Sequence, residues 1–494
     1  ETAAAPKTFG LSYLPEHGFN PYTCTATVNR AAFSLLYESL FVVSSHFRAE
    51  PLLCESFTAS EDGKTYRYTL VSGVSFSDGT PLTAQDAAAS LRAAQQSALY
   101  SGRLAHMLSV TADDDRTLTV TLDTAYENFS LMLDVPIVSA ATVQSSTPLG
   151  TGPYYLDGEV LRRSSRWWQT PAVTAETIEL QAAKTPNDIR DNFEFGSTDL
   201  VYCDPNSPAA VGYRCDYEAW EAPTPILHYV GFNLYSGWFT NVAFTYGVDR
   251  EAMTSAVYNG FAQAATLPCS PASDLYDAQL AAQYAYSATA FQAAIRNAGV
   301  PTSETDCPVL LVCSDDPARV RAAEYLSSSM QENGFFLKVR SLGREAYVAA
   351  LQAGNYDAYL GEVRLTANFD LSEFFRTGGA LSYGAVADAS LAGLCTQALG
   401  NSGSYADLCA RLLDTVPFCP IVFKSYEVCV SRGAIASISP GVDCVFHNAA
   451  TARTLADADH SYDGAAEPST PTDVSADPAE PTEPADAADP TQEP

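Results

Sequence analysis

The chain has 494 residues, enough for roughly two to four domains. Its 27 Lys and Arg residues against 58 Asp and Glu give a formal net charge of −31, which argues against binding to nucleic acid or to an anionic lipid surface. Apolar residues make up 47 % of the chain, so it can bury large cores, but no apolar run is long enough to span a membrane.

Residues 45–150 combine alternating strands with a helix. Thr65–Leu70 and Thr117–Leu122 alternate between polar and apolar residues, as half-buried strands do. Between them, Thr83 and Asp86 have the spacing of a capping box, which predicts the start of an alanine-rich helix that ends near Gln96. We therefore predict an α+β unit in this part of the chain.

The region 307–363 alternates strands and helices. The predicted elements are a strand at Cys307–Cys313, a helix from Asp316 to Asn333, a strand at Phe335–Val339, a helix at Glu345–Leu351 and a strand at Tyr356–Val363. A β-α-β-α-β order of this kind is typical of a parallel sheet with right-handed crossovers.

The C-terminal segment, residues 463–494, has a different composition. It contains nine acidic residues, seven prolines and no Lys or Arg. Such a segment cannot bury a core, so we predict a disordered, extended tail.

The twelve cysteines include no C-x-x-C pair, and the chain has only six histidines, so we predict no metal site. An even number of cysteines in an exported protein permits disulfides, for example Cys203 with Cys215 or Cys269 with Cys307. The alternative is that most cysteines are small buried apolar residues. The sequence leaves both interpretations open.

Motifs of catalysis are missing from the sequence. We find no nucleophile elbow, phosphate-binding loop, zinc-protease motif or EF-hand loop. The pair Asp315 and Asp316 favours a helix cap over an acid/base pair, because no histidine or nucleophile accompanies it. We predict no enzymatic activity and no cofactor.

Several segments, taken in chain order, resemble the bacterial extracellular solute-binding proteins of ABC importers, in particular the peptide/nickel class. The most specific segment is Val74–Ala87, which resembles the family's F-x-D-G-x-P signature and the T-A-x-D motif that follows it. The other segments are Asn20–Pro21, Leu36–Phe41, Pro51–Leu53, Ser60–Tyr66, Gly150–Tyr154, Leu161–Trp168, Gly196–Val201, Gly247–Arg250 and Pro417–Val422.

The resemblance implies an α/β, two-lobed periplasmic-binding-protein-like fold with a hinge, and an α+β subdomain inserted in lobe one. Lobe one is then formed by residues 1–44, 151–232 and 425–462, the inserted subdomain by 45–150, and lobe two by 233–424, followed by the tail at 463–494. The parallel unit at 307–363 falls within lobe two.

The resemblance also implies where a ligand binds. Peptide binders of the family place an Asp after the third strand of lobe two, and the corresponding stretch here is 361–370. Glu362 or Asp370 is expected to bind a ligand amine, or Arg364 a ligand carboxylate. The alternative for Arg364 is an intralobe salt bridge with Glu362 or Asp370. Further candidates for the cleft are Tyr22, Arg103, Asn233, Tyr235 and Tyr383.

The function implied by the resemblance is capture of a small ligand, a short peptide first of all, and its delivery to an ABC permease. We expect a monomer outside the cytoplasm, either lipid-anchored on a Gram-positive cell or periplasmic. The N-terminal residues match neither an initiator Met nor a signal peptide, so we expect a mature or trimmed product whose targeting segment has been removed. The alternatives are a surface receptor or adhesion module on the same scaffold and, more remotely, a peptide hydrolase.

Overall fold

A computed structural model describes most of the chain. The described residues are 9–169, 175–207, 210, 212–236, 238, 241–299, 303–383, 388–447 and 453–454. The predicted tail at 463–494 lies outside them, and its extended form stays a prediction.

The strands of the described residues are short except for two. In chain order they are β1 Phe9–Tyr13, β2 Glu38–Ser39, β3 Phe41–Val43, β4 Ala49–Pro51, β5 Cys54–Ala59, β6 Thr65–Leu70, β7 Met107–Ala112, β8 Thr117–Leu122, β9 Pro136–Ile137, β10 Tyr154–Asp157, β11 Val160–Arg163, β12 Thr177–Ala182, β13 Leu200–Cys203, β14 Tyr217–Phe232, β15 Ala262–Ala264, β16 Val309–Cys313, β17 Lys338–Leu342, β18 Ala358–Arg364, β19 Phe418–Ser431, β20 Ile435–Ser437 and β21 Arg453–Thr454.

The helices range from a single turn to 16 residues. The α-helices are α1 Thr27–Arg30, α2 Phe33–Leu36, α3 Ala84–Gln95, α4 Pro186–Glu194, α5 Asn241–Gly247, α6 Arg250–Ala256, α7 Ala278–Ala282, α8 Ala288–Ala298, α9 Pro317–Glu332, α10 Arg344–Gln352, α11 Ser372–Phe375, α12 Ala389–Gly400 and α13 Tyr405–Thr415, and short 3-10 helices lie at Pro15–His17, Phe129–Met132 and Ser402–Ser404.

Two long strands, β14 and β19, connect the two lobes of this α/β protein. In the main sheet the strand order is β10-β11-β12-β1-β13-β19-β14-β18-β16-β17, and β15 pairs with β19. The strand β13 pairs with the end of β19 in lobe one, whereas β18 pairs with the end of β14 in lobe two. The register between β14 and β19 shifts between Pro223 and Ile226. An irregularity of this kind bends the strand and interrupts its pairing locally.

The parallel unit of lobe two has the predicted β-α-β-α-β order, from β16 to β18. Asp316 caps α9, because its carboxylate accepts the backbone N–H groups of Ala318 and Arg319. The predicted strand at 335–339 is wrong in its bounds, because β17 begins at Lys338, opposite Val309 of β16. The chain before it instead contributes buried apolar side chains to the core beside α9.

The inserted segment contains the predicted α+β unit. Its four strands form an antiparallel sheet in the order β5-β6-β8-β7. The two alternating strands have the predicted bounds, and the capping box of Thr83 and Asp86 begins α3. Four alanines of α3 and Leu91 are buried, and the helix packs on β7 and β8 of this sheet. The domain boundaries stay predictions, because the bounds of single elements do not decide them.

All twelve cysteines lie among the described residues and are free thiols. Neither predicted bridge is formed, because the fold brings other thiols together: Cys203 lies beside Cys429, and Cys269 beside Cys409. Eight of the twelve are buried. Within the described ranges, the helices are too short or too polar to cross a bilayer.

Candidate ligand-binding cleft

Three arginines converge on one buried aspartate between the lobes. Arg364 Nη1 donates to both carboxylate oxygens of Asp443, at 3.0 and 2.8 Å. Arg103 Nη2 lies 2.6 Å from the same carboxylate and Arg30 Nη2 lies 3.7 Å from it. We call Arg30, Arg103, Arg364 and Asp443 the arginine cluster. It joins β18 of lobe two to α1 of lobe one and to the inserted segment.

The charges of the arginine cluster do not cancel. Burial alone would raise the pKa of Asp443, but the three arginines outweigh burial and hold the pKa well below its usual range. Arg103 also donates to Asp134 at 2.7 Å. The three guanidinium groups therefore face two aspartates, Asp443 and Asp134, and one positive charge is left over.

A second group of charges surrounds Glu362. His228 Nε2 donates to Glu362 Oε2 at 2.8 Å, and Lys424 Nζ lies 3.3 Å from the same oxygen. Lys424 also donates to Asp204 at 2.6 Å. We call Glu362, His228, Lys424 and Asp204 the glutamate cluster. One lysine against two carboxylates leaves one negative charge, because burial lowers the pKa of His228 and keeps the ring neutral.

The ionisation of Glu362 follows from its neighbours. Burial would raise its pKa, but His228 and Lys424 outweigh that effect and hold the pKa well below its usual range. On the other side of the imidazole, the Tyr258 hydroxyl lies 2.8 Å from Nδ1. Tyr258 therefore donates to Nδ1 and leaves the proton of His228 on Nε2, where it faces the carboxylate.

Strand register brings both clusters to one face of the sheet. His228 of β14 lies opposite Glu362 of β18, and Ile226 lies opposite both Arg364 and Lys424. Because alternate residues of a strand share a face, the charged side chains of β18 and β19 point to the same side. This is the carboxyl end of the parallel strand β16 and the side on which α9 packs, where open α/β sheets bind ligands.

A pocket adjoins the arginine cluster on its lobe-one side. It encloses about 790 Å³ of empty space, part of it open to solvent, and its wall includes Arg30, Arg103 and Asp443. Buried Glu38 also lines the pocket and accepts hydrogen bonds from the indole N–H groups of Trp167 and Trp168, at 3.1 and 2.9 Å.

The structure brings Arg103, Glu362 and Arg364 of the predicted set to this cleft face. The predicted alternative for Arg364, a salt bridge with Glu362 or Asp370, is wrong: its partner is Asp443. Asp370 instead accepts the backbone N–H and hydroxyl of Ser372, at 3.0 and 2.6 Å, before α11.

The other predicted residues lie apart from the two clusters. Tyr22 is buried and donates to the backbone carbonyl of Pro136 at 2.7 Å. The Asn233 amide bonds the backbone at Gly354, and Tyr235 is 84 % exposed. Tyr383 packs edge-on against another tyrosine ring. Their roles in binding stay predictions.

Sequence reasoning missed Arg30, His228, Lys424, Asp204 and Asp443. No motif marks any of them, and Asp443 reaches Arg364 only because the chain returns to lobe one after β19. Its φ of 54° is in the left-handed region, where Asp and Asn are tolerated. The alternation of charged residues on β18, Glu362 and then Arg364, is the signal that could have indicated a shared face.

The family model described as "Bacterial extracellular solute-binding proteins, family 5 Middle" matches residues 48–380, which is well over half of the chain. The chain belongs to this family. Among curated proteins, it is 25 % identical over 270 residues to "Glutathione-binding protein GsiB" of Escherichia coli O1:K1 / APEC, a match that covers 50 % of this chain and 53 % of that protein. The chain thus spans about half the length of the curated relatives it matches.

Solved structures share the fold of this family member at low identity. The ABC transporter substrate binding protein CtaP from Listeria monocytogenes superposes with a TM-score of 0.73 at 17 % identity, covering 91 % of this chain and 99 % of that one. The oligopeptide-binding protein AppA from Bacillus subtilis, in complex with a nonapeptide, superposes with a TM-score of 0.62 at 17 % identity, covering 91 % and 99 %. These matches show the two-lobed fold predicted from the sequence.

Proposed function

We propose that this solute-binding protein captures a small zwitterionic solute, a short peptide first of all, between its lobes and delivers it to an ABC permease. The observation that carries the proposal is the pair Glu362 and Arg364. They are alternate residues on one face of β18, they carry opposite charges, and their side chains are 31 % and 33 % exposed.

The spacing of this pair suits a short peptide. Two residues along a strand are about 6.6 Å apart, and a dipeptide extends over about 7 Å. The glutamate cluster, with its surplus negative charge, would bind the α-amino group, and the arginine cluster, with its surplus positive charge, would bind the carboxylate. The names of the relatives, which mention glutathione and a nonapeptide complex, support a ligand of this class.

Arg364 has the donors that a ligand carboxylate needs. Of the three guanidinium nitrogens of Arg364, only Nη1 has a hydrogen-bond partner among the described residues, and that partner is Asp443. Nε and Nη2 are therefore available to a ligand while the ion pair to lobe one is kept. A ligand on Arg364 that also contacts the pocket wall beside Arg30 would favour the closed state over the open one, which is how differential contacts shift such an equilibrium.

The rest of the proposal concerns the setting of the protein. We propose that it acts as a monomeric binding protein without catalytic activity, outside the cytoplasm, and held at the membrane by a lipid anchor. The family description, which names extracellular solute-binding proteins, supports the location. Detergent-dependent release of the native protein from membranes, without release by high salt, is the result expected for a lipid anchor.

The first experiment is native mass spectrometry of the purified full chain beside a denatured sample. An added mass that resolves into short peptides supports the proposal and identifies the natural ligand. Calorimetry with a free dipeptide, its N-acetylated form and its C-amidated form then tests each end. We expect each block to weaken binding by about tenfold or more, since a charge-assisted hydrogen bond contributes about 1.5–3 kcal/mol.

Matched variants assign each end to its cluster. The Arg364→Ala variant should bind the C-amidated and the free peptide with equal affinity. The Glu362→Gln variant should bind the N-acetylated and the free peptide with equal affinity. Arg340→Ala and Glu345→Gln remove exposed charges of the same lobe and should bind like the parent chain. Peptide binding that is indifferent to both end blocks would refute the zwitterion assignment.

A further inference from the structure

A group of metal-ligating side chains lies on the reverse face of the sheet in lobe one. Cys203, Glu427 and Cys429 each offer one ligand atom, and these three atoms lie within 4.8 Å of one another. Glu427 and Cys429 are buried, and Cys203 is half-buried. This face is opposite the cleft, because Glu427 and Cys429 alternate with Lys424 and Tyr426 along β19.

Strand register accounts for the grouping. In the antiparallel pair of β13 and β19, Cys203 lies opposite Glu427 and Val201 lies opposite Cys429. Cys203 and Cys429 are therefore diagonal neighbours on one face. The helix α4 covers this face with the buried ring of Phe193, which packs 4.9 Å from the ring of Tyr213.

The diagonal arrangement disfavours a disulfide. Diagonal residues on paired strands have Cα atoms about 7–8 Å apart, whereas disulfides need about 4.4–6.8 Å. A metal ion has no such restriction on the Cα atoms, because two bonds of about 2.3 Å at a tetrahedral angle hold the two sulfur atoms about 3.8 Å apart around one Zn²⁺. The backbone of this strand pair thus suits a shared ion better than a covalent bridge.

The charge of this group also lacks a partner. Among the residues that the structure describes, no cation lies against Glu427. Burial raises the pKa of its carboxyl group, and a hydrogen bond with the Cys429 thiol offsets only part of that effect. A buried carboxylate next to two thiols, without an Arg or Lys, is costly unless it is protonated or bound to a cation.

We propose that Cys203, Cys429 and Glu427 form a site for a thiophilic divalent cation such as Zn²⁺. Cysteine thiolates and glutamate carboxylates are both ligands of this ion, and the fourth position is left to water. On binding, each thiol gives up its proton to the solvent, so no oxidant or reductant takes part. The bound ion ties β13 to β19 and so stabilises lobe one away from the ligand cleft.

The proposal does not depend on the peptide-binding function, and Zn²⁺ alone is the probe that tests it. The full chain is stripped with a chelator, and Zn²⁺ uptake is measured against a competing dye. We expect one ion to be lost in Cys203→Ser/Cys429→Ser and kept in Cys307→Ser, which removes a half-buried thiol of lobe two. Even an outer-shell group contributes about 10–100-fold to metal affinity, so Glu427→Gln should weaken binding by at least about tenfold.

A second measurement needs no variant and so does not depend on whether the double variant folds. Zn²⁺ should protect the half-buried thiol of Cys203 in the parent chain from alkylation, as followed by peptide mass spectrometry, and should leave the labelling of Cys307 unchanged. Equal labelling with and without Zn²⁺ would overturn the proposal. A purified chain that is two hydrogens lighter, with Cys203 and Cys429 cross-linked, would overturn it as well.

Discussion

The arginine cluster and the glutamate cluster share one sheet face, yet they are built differently. The arginine cluster draws its groups from four separate parts of the chain, and its carboxylate, Asp443, is 7 % exposed. The glutamate cluster centres on three neighbouring strands, and Glu362 is 31 % exposed. The first therefore depends on how the lobes and the inserted segment meet, whereas the second depends on strand register.

The comparison shows how one cleft face acquires two signs of charge. In spite of burial, the central carboxylate is kept ionised by three arginines in the arginine cluster, and by the hydrogen bond from His228 and the charge of Lys424 in the glutamate cluster. Removal of those cations, or of the carboxylates, should therefore cost more in the buried cluster than in the exposed one. The predictions below test this difference, beginning with the largest expected effect.

Asp443→Asn should lower the free energy of unfolding by about 3–5 kcal/mol, because three guanidinium groups lose their buried counter-ion. Asn keeps the side-chain shape and tolerates the left-handed backbone. Urea denaturation measures the loss. The control, Asp274→Asn, removes the partner of Arg48 in a pair that is 66 % exposed on the aspartate side. Equal effects of the two changes would contradict the importance of burial.

Glu38, which lines the pocket beside the arginine cluster, tests whether a buried carboxylate without a neighbouring cation loses its charge. It has neutral donors only, and burial raises its pKa from 4.5 to about 7. A raised pKa means that its stabilising contribution is complete below the unfolded value and is lost as the pH rises through about 7. Between pH 4.5 and about pH 7, the free energy of unfolding should therefore fall by about 3 kcal/mol more in the parent chain than in Glu38→Gln.

Denaturation curves between pH 4.5 and pH 8 measure this difference for Glu38. The variant Glu61→Gln, which removes an exposed acid of the inserted segment, should follow the parent chain over the whole range. If Glu38→Gln also follows the parent chain, burial alone does not perturb the titration of Glu38.

Lys424→Met should lower the free energy of unfolding by about 2 kcal/mol at pH 7, less than the Asp443 change. Glu362 and Asp204 lose a cation that is 5 % exposed, but both carboxylates keep some contact with water. Because the pKa of Glu362 is lowered in the fold, its contribution is present above the unfolded value and is lost on acidification. The difference in unfolding free energy between Lys424→Met and the parent chain should thus become smaller towards pH 3. A difference that does not change with pH would indicate lost packing instead.

Arg48→Ala should change stability by less than about 1 kcal/mol, in spite of two hydrogen bonds of 2.7 Å to Asp274. This pair links the inserted segment to lobe two, but both side chains are more than half exposed and solvent screens them. Thermal melts at low and high salt measure the effect. A loss as large as that of Asp443→Asn would show that geometry outweighs exposure.

Local patterns predicted much of the fold and part of the candidate site. The strands at Thr65–Leu70 and Thr117–Leu122, and the cap at Asp316, depend on alternation and on side-chain capping within a few residues. The start of β17 was missed, because the apolar residue Phe335 is buried in the core beside α9 and does not pair in the sheet. Glu362 and Arg364 were found because the family resemblance placed the ligand contacts in the stretch 361–370.

The sequence by itself determined the family, the α/β class and the parallel unit of lobe two, since periodicity, caps and ordered motifs are local properties of the chain. Only the tertiary structure decided which charges meet. Arg364 pairs with Asp443, and Cys203 lies beside Cys429, because strands distant in sequence align in the sheet. Register and chain return are collective results of packing, and no short segment contains them.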